Sequence, residues 1–428
     1  MHNTGKFKRY KGINNLLIIK FPSEGWHAVT GWFMKTVSII CEYNPFHLGH
    51  AGHIEKTRQL LGDDVAVVCV MSGNFVQRGD FAVFNKQARA KMAVLSGADL
   101  VVELPTPYVL MSAEGFAQTG VCILDGLDVC DYLSFGSEAN NIGLLQEAAG
   151  IIMSDNAIDI LKERLNEGVS YATAQQFAAD TLMGKYADVF KSPNNVLGIE
   201  YIKALNKFKS KMLPITVSRT GGDHDGDTGF SASSIRNKLL IGDQIDTLIP
   251  ASCNEIINDE TTSGRGPVSI KHAEQAIISR LRSVDDFSQI LGISEGLEQR
   301  FIKYAHSEPT IEAILTKIKT KRYPMSRLRR ILLCSVLNIT KEYTDISPPY
   351  IKISAMNDRG ALLLKKARKQ TKLPIITKPA AVNKLCNISK NLFNLEVKAI
   401  DFYTLAYSNE NERFGKQEWY NSPTVLPL

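Results

Sequence analysis

Two of the eight histidines in this 428-residue chain stand three apart, in Glu42-Tyr43-Asn44-Pro45-Phe46-His47-Leu48-Gly49-His50. Imidazoles at that spacing on the first turn of a helix face the same way. The glycine between them lets an anion approach the backbone, and a helix N-terminus adds partial positive charge. The apolar run at 37–41 reads as a buried strand, Asn44-Pro45 as a turn, and the chain from Gly49 as a helix. A strand, a tight turn and a histidine-bearing helix start together form a grip for a phosphate-bearing ligand.

Four further stretches in the same half carry usable groups. Met71-Ser72-Gly73-Asn74-Phe75-Val76-Gln77-Arg78-Gly79-Asp80 follows a second apolar run, a place where open α/β sheets bind ligands, and Arg78 is the candidate for a small anionic substrate. Lys86 and Arg89 lie three apart on an expected helix at 86–95, spaced to project toward one site. In Phe135-Gly136-Ser137-Glu138, Gly136 leaves room for a nucleoside against the backbone. Asn194 and Asn195 open a later helix, where their amides either cap it or read a nucleotide. Finally, Ser231-Ala232-Ser233-Ser234-Ile235-Arg236 offers hydroxyls, helix amides and a guanidinium to phosphates. Seven cysteines are scattered without a CxxC pair, so no metal site and no disulfide framework is expected.

These groups need a scaffold that brings distant segments to one edge. Strands are expected at 37–41, 65–71, 100–104, 132–135 and 213–217, with helices between and after them, notably at 86–95, 143–154, 158–167, 171–182 and 198–208. That alternation predicts a Rossmann-like α/β domain with a parallel sheet. Gly221-Gly222-Asp223-His224-Asp225-Gly226-Asp227 reads as a polar loop that orders when a ligand binds. Beyond Gly264-Arg265-Gly266-Pro267 the periodicity becomes helical at 270–281, 296–305 and 311–318. The expected division is therefore an extension at 1–33, a catalytic domain at 34–263 and a mostly helical domain at 264–428. Because Met34 leads straight into the first strand, 1–33 is expected to be disordered or to reflect a mis-assigned start.

The overall charge of +6 conceals an uneven division. Residues 34–267 hold 19 Lys and Arg against 28 Asp and Glu, whereas residues 268–428 hold 26 against 15. A basic second half suits a polyanionic partner. Its densest cluster contains Lys319, Lys321, Arg322, Arg327, Arg329 and Arg330, with Tyr323 among them for base stacking. No apolar run is long enough to span a membrane, and the unpaired cysteines fit a reducing cytoplasm.

With these residues in view, the chain resembles the bacterial tRNA(Met) cytidine acetate ligases, a branch of the HxGH nucleotidyltransferase superfamily. The likeness runs through EYNPFHLGH, MSGNFVQRGDFAVFNKQARAKMA, DLVVELP, FGSE, SPNNVLGIEYIKAL, SASSIR and KRYPMSRLRRILL. Leu48 stands where the family usually has Asn, and Ser234 where it often has Thr. The resemblance implies a nucleotidyltransferase domain followed by a helical tRNA-binding domain. It implies activation of acetate by ATP to acetyl-adenylate, then transfer to the wobble cytidine amine of elongator methionine tRNA. ATP contacts are implied within 40–53, at Ile40, Glu42, Tyr43, Asn44, Pro45, Phe46, His47, Gly49, His50 and His53, and at Gly136, Asn194 or Asn195, and Arg219.

On this reading His47 and His50 hold the triphosphate, and Arg236 with Ser233 and Ser234 holds the leaving pyrophosphate. Lys86 and Arg89 support them, Arg78 faces acetate, and Lys321, Arg322, Arg327, Arg329 and Arg330 face tRNA. Magnesium would bridge the phosphates without a dedicated protein cage. Two rivals use the same residues: a cofactor-pathway adenylyltransferase, and a nucleotide-sensing RNA-binding protein without catalysis.

Overall fold

The computed structural model describes residues 34–218, 231–294 and 296–427, together with the backbone of three short strands, Phe7–Lys8, Leu17–Phe21 and Gly25–Val29. Those three strands pair antiparallel in a sheet of their own. Arg219 and the polar loop at 221–227 lie outside the described residues.

Five parallel strands form the frame: Thr36–Cys41, Ala66–Ser72, Leu100–Leu104, Tyr132–Ser137 and Leu213–Ser218. Taken first to fifth in chain order, they lie 5-4-1-2-3 across the sheet. The first three are β-branched and apolar almost throughout because helices cover both faces; every residue of Ala66–Ser72 is buried. The order reverses between the first and fourth strands, the switch point at which such sheets bind ligands. There the ladder covers only Val37 with Tyr132 and Ser38 with Leu133, so the two strands part toward their C-terminal ends.

Helices fall close to the expected positions, at Lys86–Leu95, Ile142–Ile152, Asp155–Asn166, Tyr171–Met183 and Pro193–Phe208. Past Gly264 the chain is helical through Glu274–Arg282, Leu297–Ser307, Ile311–Ile318 and Met325–Leu337. It does not stay apart, however. Ile351–Met356 runs antiparallel to Leu100–Leu104, and Ile375–Ile376 and Thr424–Val425 pair with it in turn, so residues 351–425 extend the parallel sheet. A short strand with Ile351, Lys352, Ile353 and Ala355 all buried lacks the polar alternation that marks a strand in sequence.

A buried ionic cluster locks this return. Lys86 lies 2.5 Å from Glu103 and 2.9 Å from Glu418, and Lys352 lies 3.0 Å from Glu103 and also pairs with Glu418. All four are at most 5% exposed. Two cations against two carboxylates offset the desolvation that each charge would otherwise cost, and deleting one partner from such a group costs about 3–5 kcal/mol.

Candidate nucleotide site

The loop after the first strand carries the histidines, and its conformation follows from the sequence. His47 is the N-cap of the helix Leu48–Leu61: its Nδ1 accepts from the Gly49 amide at 3.0 Å, while His50 Nδ1 accepts from the His47 amide at 3.3 Å. This is a capping box built from two imidazoles, whose rings stack at 3.7 Å. With both Nδ1 atoms accepting, the neutral rings carry their protons on Nε2, the donor form that suits phosphate oxygens. Gly49 is required because a Cβ there would lie 2.8 Å from His47 Cε1. The glycine thus lets the His47 ring fold back over the helix start, in addition to leaving the backbone open. Phe46 and Tyr43 are buried beneath, with Tyr43 and His50 rings 4.8 Å apart. One turn on, His53 Nε2 meets Ser134 Oγ at 2.9 Å, and Thr57 reaches the same hydroxyl at 2.9 Å, so the histidine helix is pinned to the fourth strand just where the sheet splits.

The second phosphate-binding candidate joins this lip directly. Ser231 caps the helix Ala232–Ile241 by accepting from the Ser234 amide, which places Ser233 and Ser234 in its first turn rather than ahead of it. Arg236 then donates through Nη1 to the Asn44 carbonyl at 2.9 Å and through Nη2 to Ser233 Oγ at 3.0 Å. Burial lowers the Arg236 pKa, while the charges of Glu42 and Asp80 act against that shift and Arg78 adds to it. Asn44 Oδ1 accepts from the Val83 amide at 2.7 Å, so the turn that Arg236 grips is itself held. Ile40 and Pro45 are buried in the walls of the lip, and Glu42 is half-buried.

Gly136, on the far side of the split, has open space where a Cβ would stand. The two asparagines organise its neighbourhood. Asn195 is buried and accepts through Oδ1 from Ser137 Oγ at 2.8 Å and the Ala139 amide at 3.1 Å; Asn194 donates to Glu138. Arg78 is exposed at the tip of a small hairpin made by Phe75–Val76 and Asp80–Phe81. A cavity of about 900 Å³, lined by Lys35, Asp125, Asp131 and Lys211 among others, opens at the opposite edge of the sheet and shares no residue with this lip.

Three expectations are corrected. Lys86 and Arg89 do not project into an open site. Lys86 is consumed by the ionic cluster, and Arg89, fully buried, donates to the carbonyls of Phe84 and Ser72 at 3.0 and 3.1 Å and to those of Glu42 and Gly73. It ties together the ends of the loops that follow the first and second strands. Tyr323 is only 7% exposed, its ring flanked by Arg322 and Arg327 at 5.8 and 5.1 Å, so it presents no open stacking face. The basic cluster also divides. Lys321 and Arg322 are exposed, Arg329 faces Glu312 at 3.8 Å, Arg327 donates to Gly292 O and Ser294 Oγ, and Arg330 donates to Gln77 O. Burial pushes the Arg330 guanidinium down to about 10.

Ser134 escaped the sequence reading; a lone serine inside the apolar run at 132–135 was the available signal. Among the described residues no three His, Cys, Asp or Glu gather as a metal ion would need, and no helix is long and apolar enough to cross a membrane.

Comparison with known proteins identifies the family. The model of the HIGH Nucleotidyl Transferase family matches residues 34–418. A tRNA(Met) cytidine acetate ligase of Acetivibrio thermocellus is 37% identical over 92% of this chain and 100% of its own length. One from Thermosipho melanesiensis is 35% identical over 89% and 96%. The crystal structure of Thermotoga maritima TmcAL bound with alpha-thio ATP superposes with a TM-score of 0.86, at 34% identity, over 92% of this chain and 100% of that one. The chain therefore belongs to the tRNA(Met) cytidine acetate ligase family of HIGH nucleotidyltransferases.

Proposed function

We propose that this protein is an ATP-dependent tRNA cytidine acetate ligase acting in the cytoplasm. A carboxylate oxygen of acetate attacks the α-phosphorus of ATP, pyrophosphate leaves, and the N4 amine of the wobble cytidine of elongator tRNA-Met then attacks the acetyl carbonyl, releasing AMP. The observation that carries this reading is the 2.9 Å bond from Arg236 to the Asn44 carbonyl, which joins the Ser/Arg helix start to the histidine lip. An imidazole-and-amide clamp beside a guanidinium-and-amide clamp on one edge suits a triphosphate whose β,γ portion departs.

In this assignment His47 and His50 hold the triphosphate, and Arg236 with Ser233 and Ser234 takes the charge that develops on pyrophosphate. The adenosine lies in the split beside Gly136, within the loop that Asn194 and Asn195 shape. Magnesium enters with the nucleotide as part of the substrate. No side chain need act as a nucleophile, because positioning and charge stabilisation supply the acceleration. Arg78 is assigned to acetate. Lys321 and Arg322, exposed and free of acidic neighbours in sequence, are assigned to tRNA phosphates.

The test is nucleoside analysis of tRNA-Met after incubation with the protein, ATP and acetate. N4-acetylcytidine at the first anticodon position is expected, together with acetate-dependent exchange of labelled pyrophosphate into ATP. Exchange that ignores acetate would overturn the assignment.

A further inference from the structure

The hairpin that carries Arg78 is held from three sides. Val76 O accepts from the Gly79 amide at 2.9 Å, closing a turn whose tip is Gln77 and Arg78. The Gln77 amide donates to Glu42 Oε1 at 2.7 Å, its side chain to Met111 O at 3.3 Å, and its carbonyl accepts from Arg330 Nη1 at 3.3 Å. Gly79 adopts φ +76°, and a Cβ on it would fall 2.5 Å from the Arg330 amide nitrogen, so the turn rests directly on the backbone of the helix Met325–Leu337. At the hairpin's base Phe81 stacks on Tyr403 at 5.5 Å, and the Tyr403 hydroxyl donates to Ala82 O at 2.7 Å. Arg330 belongs to the basic cluster in sequence. In space its guanidinium is turned inward, to a backbone carbonyl of the catalytic half 253 residues away.

We propose that Arg330 is a positioning residue for acetate activation and not a tRNA ligand: it seats the tip of the 75–81 hairpin and so places Arg78 beside the adenylate lip. This deepens the ligase reading and rests on it for the identity of the small acid. The Arg330–Gln77–Glu42 series also runs from the helix that carries the last members of the basic cluster to the strand end that starts the nucleotide loop. Arg329, next in sequence, keeps a partly exposed guanidinium and stays available to RNA.

Four proteins decide the matter: wild type, Arg330→Ala, Arg78→Ala and the double variant. In Arg330→Ala, kcat/KM for acetate in the exchange reaction should fall about tenfold, the effect of one lost hydrogen bond from a charged donor, with the Kd for tRNA changed less than about twofold. The double variant should be no worse than Arg78→Ala alone, because one residue acts through the other. Tryptic cleavage after Arg78 should quicken in Arg330→Ala; this readout needs no substrate and reports on the hairpin even if wild type shows no acetate-dependent exchange, which would end the ligase reading instead. Weakened tRNA binding with unchanged exchange and cleavage would make Arg330 a phosphate ligand. Additive losses in the double variant would equally overturn the proposal, and in Arg330→Ala cleavage quickened at every tryptic site, not after Arg78 in particular, would overturn it as a general loss of fold.

Discussion

Arg236 and Asn44, 192 residues apart, are joined by a 2.9 Å hydrogen bond from the guanidinium to the backbone carbonyl. A side chain in the first turns of a late helix thereby closes the turn that presents the histidines, and the same guanidinium holds Ser233 Oγ through its other nitrogen. Asn44 offers only its carbonyl to this contact, since its side chain is occupied by the Val83 amide.

Arg236→Ala should lower the rate of acetyl-adenylate formation by a factor of about 100–1000, as removal of a preorganised charge-stabilising donor does. Arg236→Lys should recover only part, because an ammonium cannot bridge Asn44 and Ser233 in the same plane. Pyrophosphate exchange measures both; near-normal exchange in the alanine variant would place the pyrophosphate elsewhere.

His50→Ala should reduce adenylate formation by about 100-fold or more while leaving tRNA affinity nearly unchanged. The substitution also removes the acceptor for the His47 amide at the helix start, so a modest stability loss of about 1 kcal/mol should accompany it, visible in a denaturant titration. A parallel collapse of RNA binding would point to misfolding instead of lost phosphate contacts.

The basic cluster should separate by exposure. Lys321→Ala and Arg322→Ala should each weaken tRNA binding and reduce the slope of log K against log salt by about 0.7–0.9, the release expected per phosphate contact. Arg327→Ala should change stability more than the salt slope, because its guanidinium is engaged with Gly292 O and Ser294 Oγ. Filter binding across a salt series distinguishes them; equal slopes for all variants would locate the RNA on another face.

Glu396 supplies a pH-dependent term. Burial, reinforced by the charge of Glu103, raises its pKa to about 7, against the opposing effect of Lys86 and the Thr106 hydrogen bonds. The folded state therefore keeps this proton after the unfolded chain has lost it. Stability attributable to Glu396 is fully present below the unfolded value near 4.5, falls as pH rises through that interval, and levels off above about 7. Glu396→Gln should flatten that descent in thermal melts taken between these limits. Glu103 works the other way: burial acts to raise it, but Lys352 and Lys86 prevail and hold it down at about 2, so its contribution is lost only in acid. A wild-type curve that rises from pH 5 to 7 and is unaltered by the substitution would contradict the assignment.

Much of the site could be read from local spacing. The strand, turn and helix around His47 and His50, the five parallel strands, the capped start before Arg236 and the open Gly136 all depend on residues within one turn or one pleat of each other, and such patterns are written in order along the chain. What spacing could not reveal is which neighbour a charge meets. Lys86 and Arg89 show the right separation for a phosphate clamp, yet Glu418 lies 332 residues from Lys86 and claims it, and four backbone carbonyls claim Arg89. The same holds for Tyr323, buried among arginines, and for Ile351–Met356, whose sheet partner lies some 250 residues upstream. The chain's order determined the chemistry it carries and the local geometry of each group. Only the tertiary structure decided which charges remain open to a ligand, because burial and ion pairing are settled by segments that meet in space and not in sequence.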